Sequence, residues 1–172
     1  MKNEINPEKT WYRDAYKICY YQNSLKKKSG GYYYTLTYSI KFENDFDCIY
    51  MAHGYPYTYS RLTNFVKEIS NNEYSRKHFR KKLLCQTVAG NDIEMLIITN
   101  HGDSTNLRTR KGIFLTSRVH PGENMASYLI ENVIRVLTGP SLMAKILRDN
   151  FLFHIVPMLN PDGVIVGNYR CN

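Results

Sequence analysis

An α/β fold on a mixed sheet is predicted by three features of this sequence. Two strand-like runs, 83–88 and 93–99, flank Ala89-Gly90-Asn91-Asp92, a combination that makes an antiparallel hairpin. The apolar run 112–119 (GIFLTSRV) leads directly into 124–137, where Met125, Leu129, Ile130, Val133, Ile134 and Val136 recur at helical spacing. Residues 151–157 (FLFHIVP) are continuously apolar over the length of one strand, as expected for a strand covered on both faces. Strand, helix, strand is a crossover unit, and it sets its two strands parallel.

The elements before and between these follow in order. The first thirty residues are polar with scattered aromatics and close in the Lys- and Gly-rich turn 26–31, which reads as one or two strands and a loop. Residues 32–42 (YYYTLTYSIKF) are aromatic and β-branched and read as a strand, and 48–53 as another after a polar turn. The pattern changes at Gly54-Tyr55-Pro56, where Leu62, Phe65, Val66 and Ile69 adopt helical spacing behind Thr58 or Ser60 as N-cap. A domain boundary is expected there, dividing 1–54 from 55–172. Residues 72–80 read as a charged connection and 112–119 as a buried strand. Gly139-Pro140 breaks the long helix, and a shorter one over 141–148 turns Leu142, Ile146 and Leu147 inward.

Composition narrows the function classes. Apolar residues at 43% and charged residues at 22% suit a folded domain. No run approaches the roughly 20 apolar residues of a membrane helix, and the N-terminal residues lack the apolar stretch of a secretory signal, so an intracellular, cytoplasmic location is expected. Cys19, Cys48, Cys85 and Cys171 form no metal or disulfide spacing; Cys48 and Cys85 sit in apolar runs and are expected to pack as small hydrophobes. The net charge of +8 is clumped at 26–28, at Arg76, Lys77 and 80–82, and at Arg108, Arg110 and Lys111. Such clumps favour an acidic partner. The basic residues are not interleaved with aromatics in a recognition motif, which speaks against nucleic acid.

Three short motifs carry candidate chemistry. His120-Pro121-Gly122-Glu123 ends the 112–119 strand, at the sheet edge where α/β folds bind ligands. An imidazole and a carboxylate three residues apart can converge on one ion across a Pro-Gly bend, and that donor pair suits a catalytic zinc. Its competing reading is an ordinary surface pair. Gly122 offers backbone angles closed to other residues. Asn160-Pro161-Asp162-Gly163 follows the next parallel strand and reads as a structural turn shaping one wall of the same cleft, with Asn160, Asp162 and Gly163 as its working residues. Arg170, beyond that turn, could bring a fixed cationic fork to the cleft to polarise a carbonyl or steady an oxyanion, though a lone Arg there is more often solvated.

Together, TSRVHPGE at 116–123 and the run from Phe153 through NPDGVIVGNYRC to Cys171 resemble the cytosolic carboxypeptidases, a branch of the zinc carboxypeptidases related to carboxypeptidase A. The segment 52–60 (AHGYPYTYS) and the Leu84-Cys85-x-Thr87-x-Ala89-Gly90-Asn91 hairpin are similar to that family as well. The resemblance implies a mixed-sheet α/β carboxypeptidase domain preceded by the end of an antiparallel β-sandwich over 1–54. It implies zinc held by His120 and Glu123, Arg170 as the residue that polarises the substrate carbonyl, and peptide hydrolysis with a glutamate as general base. Its substrates are proteins with acidic C-terminal tails, such as polyglutamylated tubulin. In the family pattern a substrate-binding Asn-Arg motif, a third ligand His and the general-base Glu follow the Arg-Cys pair. None of these is matched in the 172 residues, so 55–172 is expected to be the first half of that domain, inactive alone. Two other readings stay open: a binding module that holds an acidic tail without cleaving it, and a zinc amidohydrolase of the aspartoacylase type, which also uses His-x-x-Glu.

Overall fold

In a computed structural model the described residues are 2–3, 11–102 and 107–171. The chain divides into two units, Met1–Tyr55 and Pro56–Asn172. In the first, β2 (Tyr16–Lys26) and β3 (Tyr32–Ser39) form an antiparallel hairpin, and β1 (Lys2–Asn3) pairs antiparallel with β4 (Ile49–Tyr50). The tip of the hairpin reverses through Gly30 and Gly31 at φ 89° and 75°, backbone that only glycine adopts freely. Tyr20 and Tyr34 stack across the strands with centroids 5.3 Å apart.

The second unit is organised around β8 (Phe151–Val156), the apolar run expected to lie inside a sheet. It pairs antiparallel with β6 (Asp92–Ile98) and parallel with β7 (Lys111–Thr116). With β5 (Phe79–Gln86) paired antiparallel to β6, the strand order is β5-β6-β8-β7. The mixed α/β sheet is the predicted one. Two strands differ in detail. β5 begins at Phe79 and takes up the basic residues 80–82, because an edge strand exposes one side to water; Lys81 there pairs with Glu94 at 2.6 Å. β7, expected to be buried, is the other edge among the described residues, and its Phe114 is 63% exposed.

Helices α1 (Tyr59–Asn71), α2 (Asn124–Thr138) and α3 (Leu142–Asn150) accompany this sheet. α1 starts at Thr58, whose hydroxyl accepts the Arg61 N–H at 3.1 Å, and it buries Leu62, Phe65, Val66 and Ile69 as their spacing requires. These join Leu96, Ile98, Phe153, Ile155, Ile130 and Ile134 in one core. The inward face of α2 is narrower than its apolar stripe: Met125, Leu129 and Val136 are exposed, while Ser127, Ile130, Glu131, Ile134 and Leu137 are buried. In α3 the contrast is sharper. Leu142 and Ile146 are exposed, and the helix instead buries Ala144 and Arg148.

Buried polar groups explain both departures. Arg148 donates from Nη1 to the carbonyls of Leu137 and Gly139 at 2.6 and 2.9 Å, tying the end of α2 to α3. Glu131 accepts from Arg135 and Arg61, and Arg135 also pairs with Glu68 of α1 at 2.8 Å. Arg61 lies over the rings of Tyr57 and Tyr128, 4.9 and 4.7 Å from their centroids. Arg110, read from sequence as part of a surface cluster, is buried and donates to Thr99 Oγ1 and the Asn100 carbonyl, both at 2.8 Å. Cys48 and Cys85 are exposed, so neither packs as a core residue.

Two outcomes follow. Leu96→Ala, at a fully buried site, lowers unfolding free energy by about 2–5 kcal/mol, whereas Phe114→Ala changes it by roughly 0.5 kcal/mol or less, as read from urea denaturation. Burial, then Arg148 and His101, depress His78 below the ordinary 6.5 against a weaker opposing pull from Asp149; burial and then Arg80 depress His101. The folded chain therefore refuses protons that the unfolded chain accepts. Stability is full above pH about 6.5 and falls on acidification below it, and the urea midpoint at pH 5.5 lies under that at pH 8. Replacing both histidines by Asn flattens that difference.

Candidate metal centre

The carboxyl end of β7 does not stop at Thr116. Its pairing with β8 continues as Ser117 N–H to the Val156 carbonyl at 3.0 Å, Leu159 N–H to the Ser117 carbonyl at 2.9 Å, and Asn160 N–H to the Arg118 carbonyl at 3.2 Å. The backbone then changes hand at Arg118, whose φ of 52° is left-handed and rare for a side chain of its size. Past it, the Glu123 N–H reaches the His120 carbonyl at 3.1 Å and the Ala126 N–H reaches that of Glu123 at 3.1 Å. This tight turn delivers His120 and Glu123 just ahead of α2.

Arg170 meets both of them. Its guanidinium Nη2 lies 3.4 Å from Glu123 Oε1, and its carbonyl oxygen lies 3.3 Å from His120 Nδ1. The three residues singled out from sequence are thus brought to one place. Glu123 and Arg170 have side chains 50% and 58% exposed, so their mutual attraction contributes little stability in water. Such a loose pair leaves the carboxylate free to take another cation.

Gly122 serves this site by close approach rather than by unusual backbone angles, since its φ is not in the left-handed region. Its N–H donates to the Tyr169 carbonyl at 2.7 Å, and a Cβ on it would stand 2.4 Å from Tyr169 Cδ2 and 2.8 Å from that carbonyl. Only a residue without a side chain lets the Tyr169-Arg170 segment lie against the loop.

Asn160-Pro161-Asp162-Gly163 forms more than a turn: it starts α4 (Pro161–Val166), with Asn160 Oδ1 accepting the Gly163 N–H at 3.0 Å and Pro161 in the first turn. The helix ends at Gly167, φ 90°, which releases the chain towards Arg170. Asp162 faces away from any cap role. Its carboxylate accepts from Thr87 Oγ1 at 2.6 Å, Asn91 Nδ2 at 2.8 Å and Ala89 N–H at 3.2 Å, fastening α4 to the β5–β6 turn. Hydrogen bonds from Thr87 and Asn91 hold this carboxyl below the ordinary carboxylate range. His154, read as a core or cleft-wall residue, lies on β8, stacked against Phe114 with centroids 5.3 Å apart.

Sequence reasoning missed two contributors, Arg118 and the Thr87–Asn91 latch. A single cation closing an apolar strand was the available signal for the first. For the second it was the Thr-x-Ala-Gly-Asn pattern at 87–91, whose donors converge on Asp162.

The model of the family described as "Zinc carboxypeptidase" matches residues 67–172, more than half of the chain. The chain belongs to the zinc carboxypeptidases. It is 41% identical to cytosolic carboxypeptidase 3 of Bos taurus and 43% identical to cytosolic carboxypeptidase 2 of Xenopus tropicalis, each over 94% of its length. It spans 16% and 17% of the length of those relatives. Among solved structures, the metallo-carboxypeptidase from Burkholderia cenocepacia superposes with a TM-score of 0.59 at 30% identity, over 68% of this chain and 30% of that one. The carboxypeptidase A from Helicoverpa armigera shares the fold at 17% identity and a TM-score of 0.56.

Zinc carboxypeptidases take a zinc ion, and the donors here fit part of its shell. An imidazole nitrogen and a carboxylate oxygen from one turn are ligands of the kind zinc takes. Among the described residues no cluster of three or more His, Cys, Asp or Glu is present, so His120 and Glu123 would hold the ion with a donor from elsewhere. When bound, zinc supplies Lewis-acid polarisation and a nucleophile at neutral pH. What this chain supplies is placement. The turn sets the two donors side by side, and Arg170 stands beside them with a guanidinium able to draw in a carbonyl oxygen or a carboxylate.

Three substitutions test this construction. Gly122→Ala forces Tyr169 away, so the amide exchange of residues 168–171 accelerates while that of β6 and β8 stays as before. Thr87→Val and Asp162→Ala each lower the thermal midpoint, and the double variant loses less than the two losses added, since both act on one contact.

Proposed function

We propose that this chain is part of a metallocarboxypeptidase that removes C-terminal amino acids, chiefly glutamates, from proteins with acidic tails such as polyglutamylated tubulin. The juxtaposition of Arg170 with both His120 and Glu123 carries this reading, because its guanidinium lies against Glu123 and its main-chain carbonyl against His120, the two proposed metal donors. A net charge of +8 supports an acidic partner over a basic one. The relatives' description as cytosolic supports a cytoplasmic setting. Among the described residues no helix is long and apolar enough to cross a membrane. In this reading residues 1–54 are the end of an antiparallel β-sandwich placed ahead of the catalytic domain, and Asn160, Asp162 and Gly163 hold the cleft wall.

A second reading has one observation behind it: among the described residues no group of three or more His, Cys, Asp or Glu is placed to hold a metal ion. Such a chain could hold an acidic tail without cutting it. The aspartoacylase-type alternative loses its support to the family match over 67–172.

Peptides ending in several glutamates, in leucine or in lysine separate the possibilities when the carboxypeptidase domain containing this chain is incubated with them, with zinc or with a chelator. Mass spectrometry shows stepwise loss of terminal glutamate with zinc alone. His120→Ala and Glu123→Ala abolish it, and Arg170→Ala lowers kcat by about 100-fold or more. Zinc-independent peptide binding that His120→Ala leaves unchanged, with no cleavage, favours the binding module. Preferential release of lysine overturns the acidic-tail specificity.

A further inference from the structure

We propose that Arg118 is the positioning residue of the metal loop, its buried guanidinium setting the spacing of His120 and Glu123; this rests on those two being metal ligands. Arg118 is 3% exposed. Its donors reach across three separate pieces of chain. Nε and Nη2 both donate to the Pro121 carbonyl, at 2.9 and 2.7 Å, and Pro121 lies in the turn between the two ligands. Nη2 also donates to Asn124 Oδ1, and Nη1 donates to Ser127 Oγ at 2.8 Å, both in the first turns of α2. Nη1 reaches the Tyr57 carbonyl at 3.3 Å, ahead of α1.

Every one of these acceptors is neutral. Among the described residues no carboxylate pairs with Arg118. A charge buried against neutral dipoles is costly, and so is a left-handed backbone at a long side chain. Two such costs at one residue persist where the surroundings demand that geometry. The planar fork explains the choice of residue, since lysine offers no fixed array of donors to span a carbonyl, an amide and a hydroxyl at once. The carbonyl gripped twice is flanked by His120 on one side and by Gly122 and Glu123 on the other. Rotating that peptide would swing the two ligands apart, and the guanidinium resists that rotation.

Arg148 supplies the comparison. It is equally buried and equally bound to carbonyls, yet it lies between α2 and α3, away from the ligand loop. Arg118→Met, Arg118→Lys and Arg148→Met are compared in the full chain by amide exchange, with urea used to bring all of them to the same global stability. At matched stability, Arg118→Met accelerates exchange of the Gly122 amide at least 10-fold over Arg148→Met, and Arg118→Lys recovers part of the protection. The Zn2+ concentration that shifts the His120 ring resonances rises at least 10-fold in Arg118→Met and stays unchanged in Arg148→Met. Gly122 exchange and the Zn2+ response of Arg118→Met that match those of Arg148→Met overturn the proposal. Should Arg118→Met fail to fold, the Asn124→Ala, Ser127→Ala double variant removes the acceptors on α2 and undergoes the same comparison. Failure of the metal reading itself looks different: Zn2+ then leaves the His120 resonances of the unaltered chain unmoved, whatever the exchange data show.

Discussion

The candidate centre depends on one short contact, the 2.7 Å hydrogen bond from the Gly122 N–H to the Tyr169 carbonyl. These residues are far apart in sequence: Gly122 lies in the turn after β7, and Tyr169 in the segment after α4, which itself follows β8. The bond joins them because β7 and β8 run parallel and side by side, so the segments following them emerge at the same edge. Remove the parallel pairing and His120, Glu123 and Arg170 have no reason to meet. Remove the hydrogen bond and Arg170 becomes one more solvated cation. The topology brings the loops to the same edge, and the missing side chain at Gly122 lets them close to bonding distance.

Where the sequence was legible, periodicity and turn chemistry acted together. Leu62, Phe65, Val66 and Ile69 bury as their spacing demands, and the hairpin around Ala89-Gly90-Asn91 forms where its turn residues stand. The apolar run 151–157 contains an interior strand. His120, Glu123 and Arg170 were legible as residues, but not as neighbours, because nothing in one dimension shows that residues 122 and 169 touch. Gly122 is a case of a correct residue with another physical reason behind it. Its importance was read as backbone freedom, and the structure shows instead that there is no room for a Cβ.

Two of the misreadings share a cause. Leu142 and Ile146 were turned inward by an apolar rule, while the core position on α3 went to Arg148. Arg110 was counted with surface cations, while it donates to the end of β6. In each case a guanidinium satisfies carbonyl or hydroxyl oxygens that strands and helices leave unpaired at their ends, and only the folded arrangement shows that those oxygens need a donor. Sequence patterns rank arginine as exposed because most arginines are. They cannot register a demand for hydrogen bonds created by three segments meeting.

That demand also explains why the two ends of the sheet are built alike and serve differently. At one end Arg148 and Arg110 satisfy carbonyls within packed connections, and the result is a brace. At the other, Arg118 satisfies the Pro121 carbonyl beneath a turn whose Glu123 side chain is half exposed. Holding a loop from below through its backbone leaves Glu123 and His120 to long contacts with Arg170, at 3.4 and 3.3 Å. Glu123 then has only a weak, exposed partner in Arg170, which a divalent ion can displace at small cost. A carboxylate secured instead by strong hydrogen bonds, as Asp162 is by Thr87 and Asn91, would hold the fold well and bind a metal poorly. The division between a tightly bonded Asp162 and a loosely paired Glu123 is what assigns one carboxylate to structure and the other to chemistry.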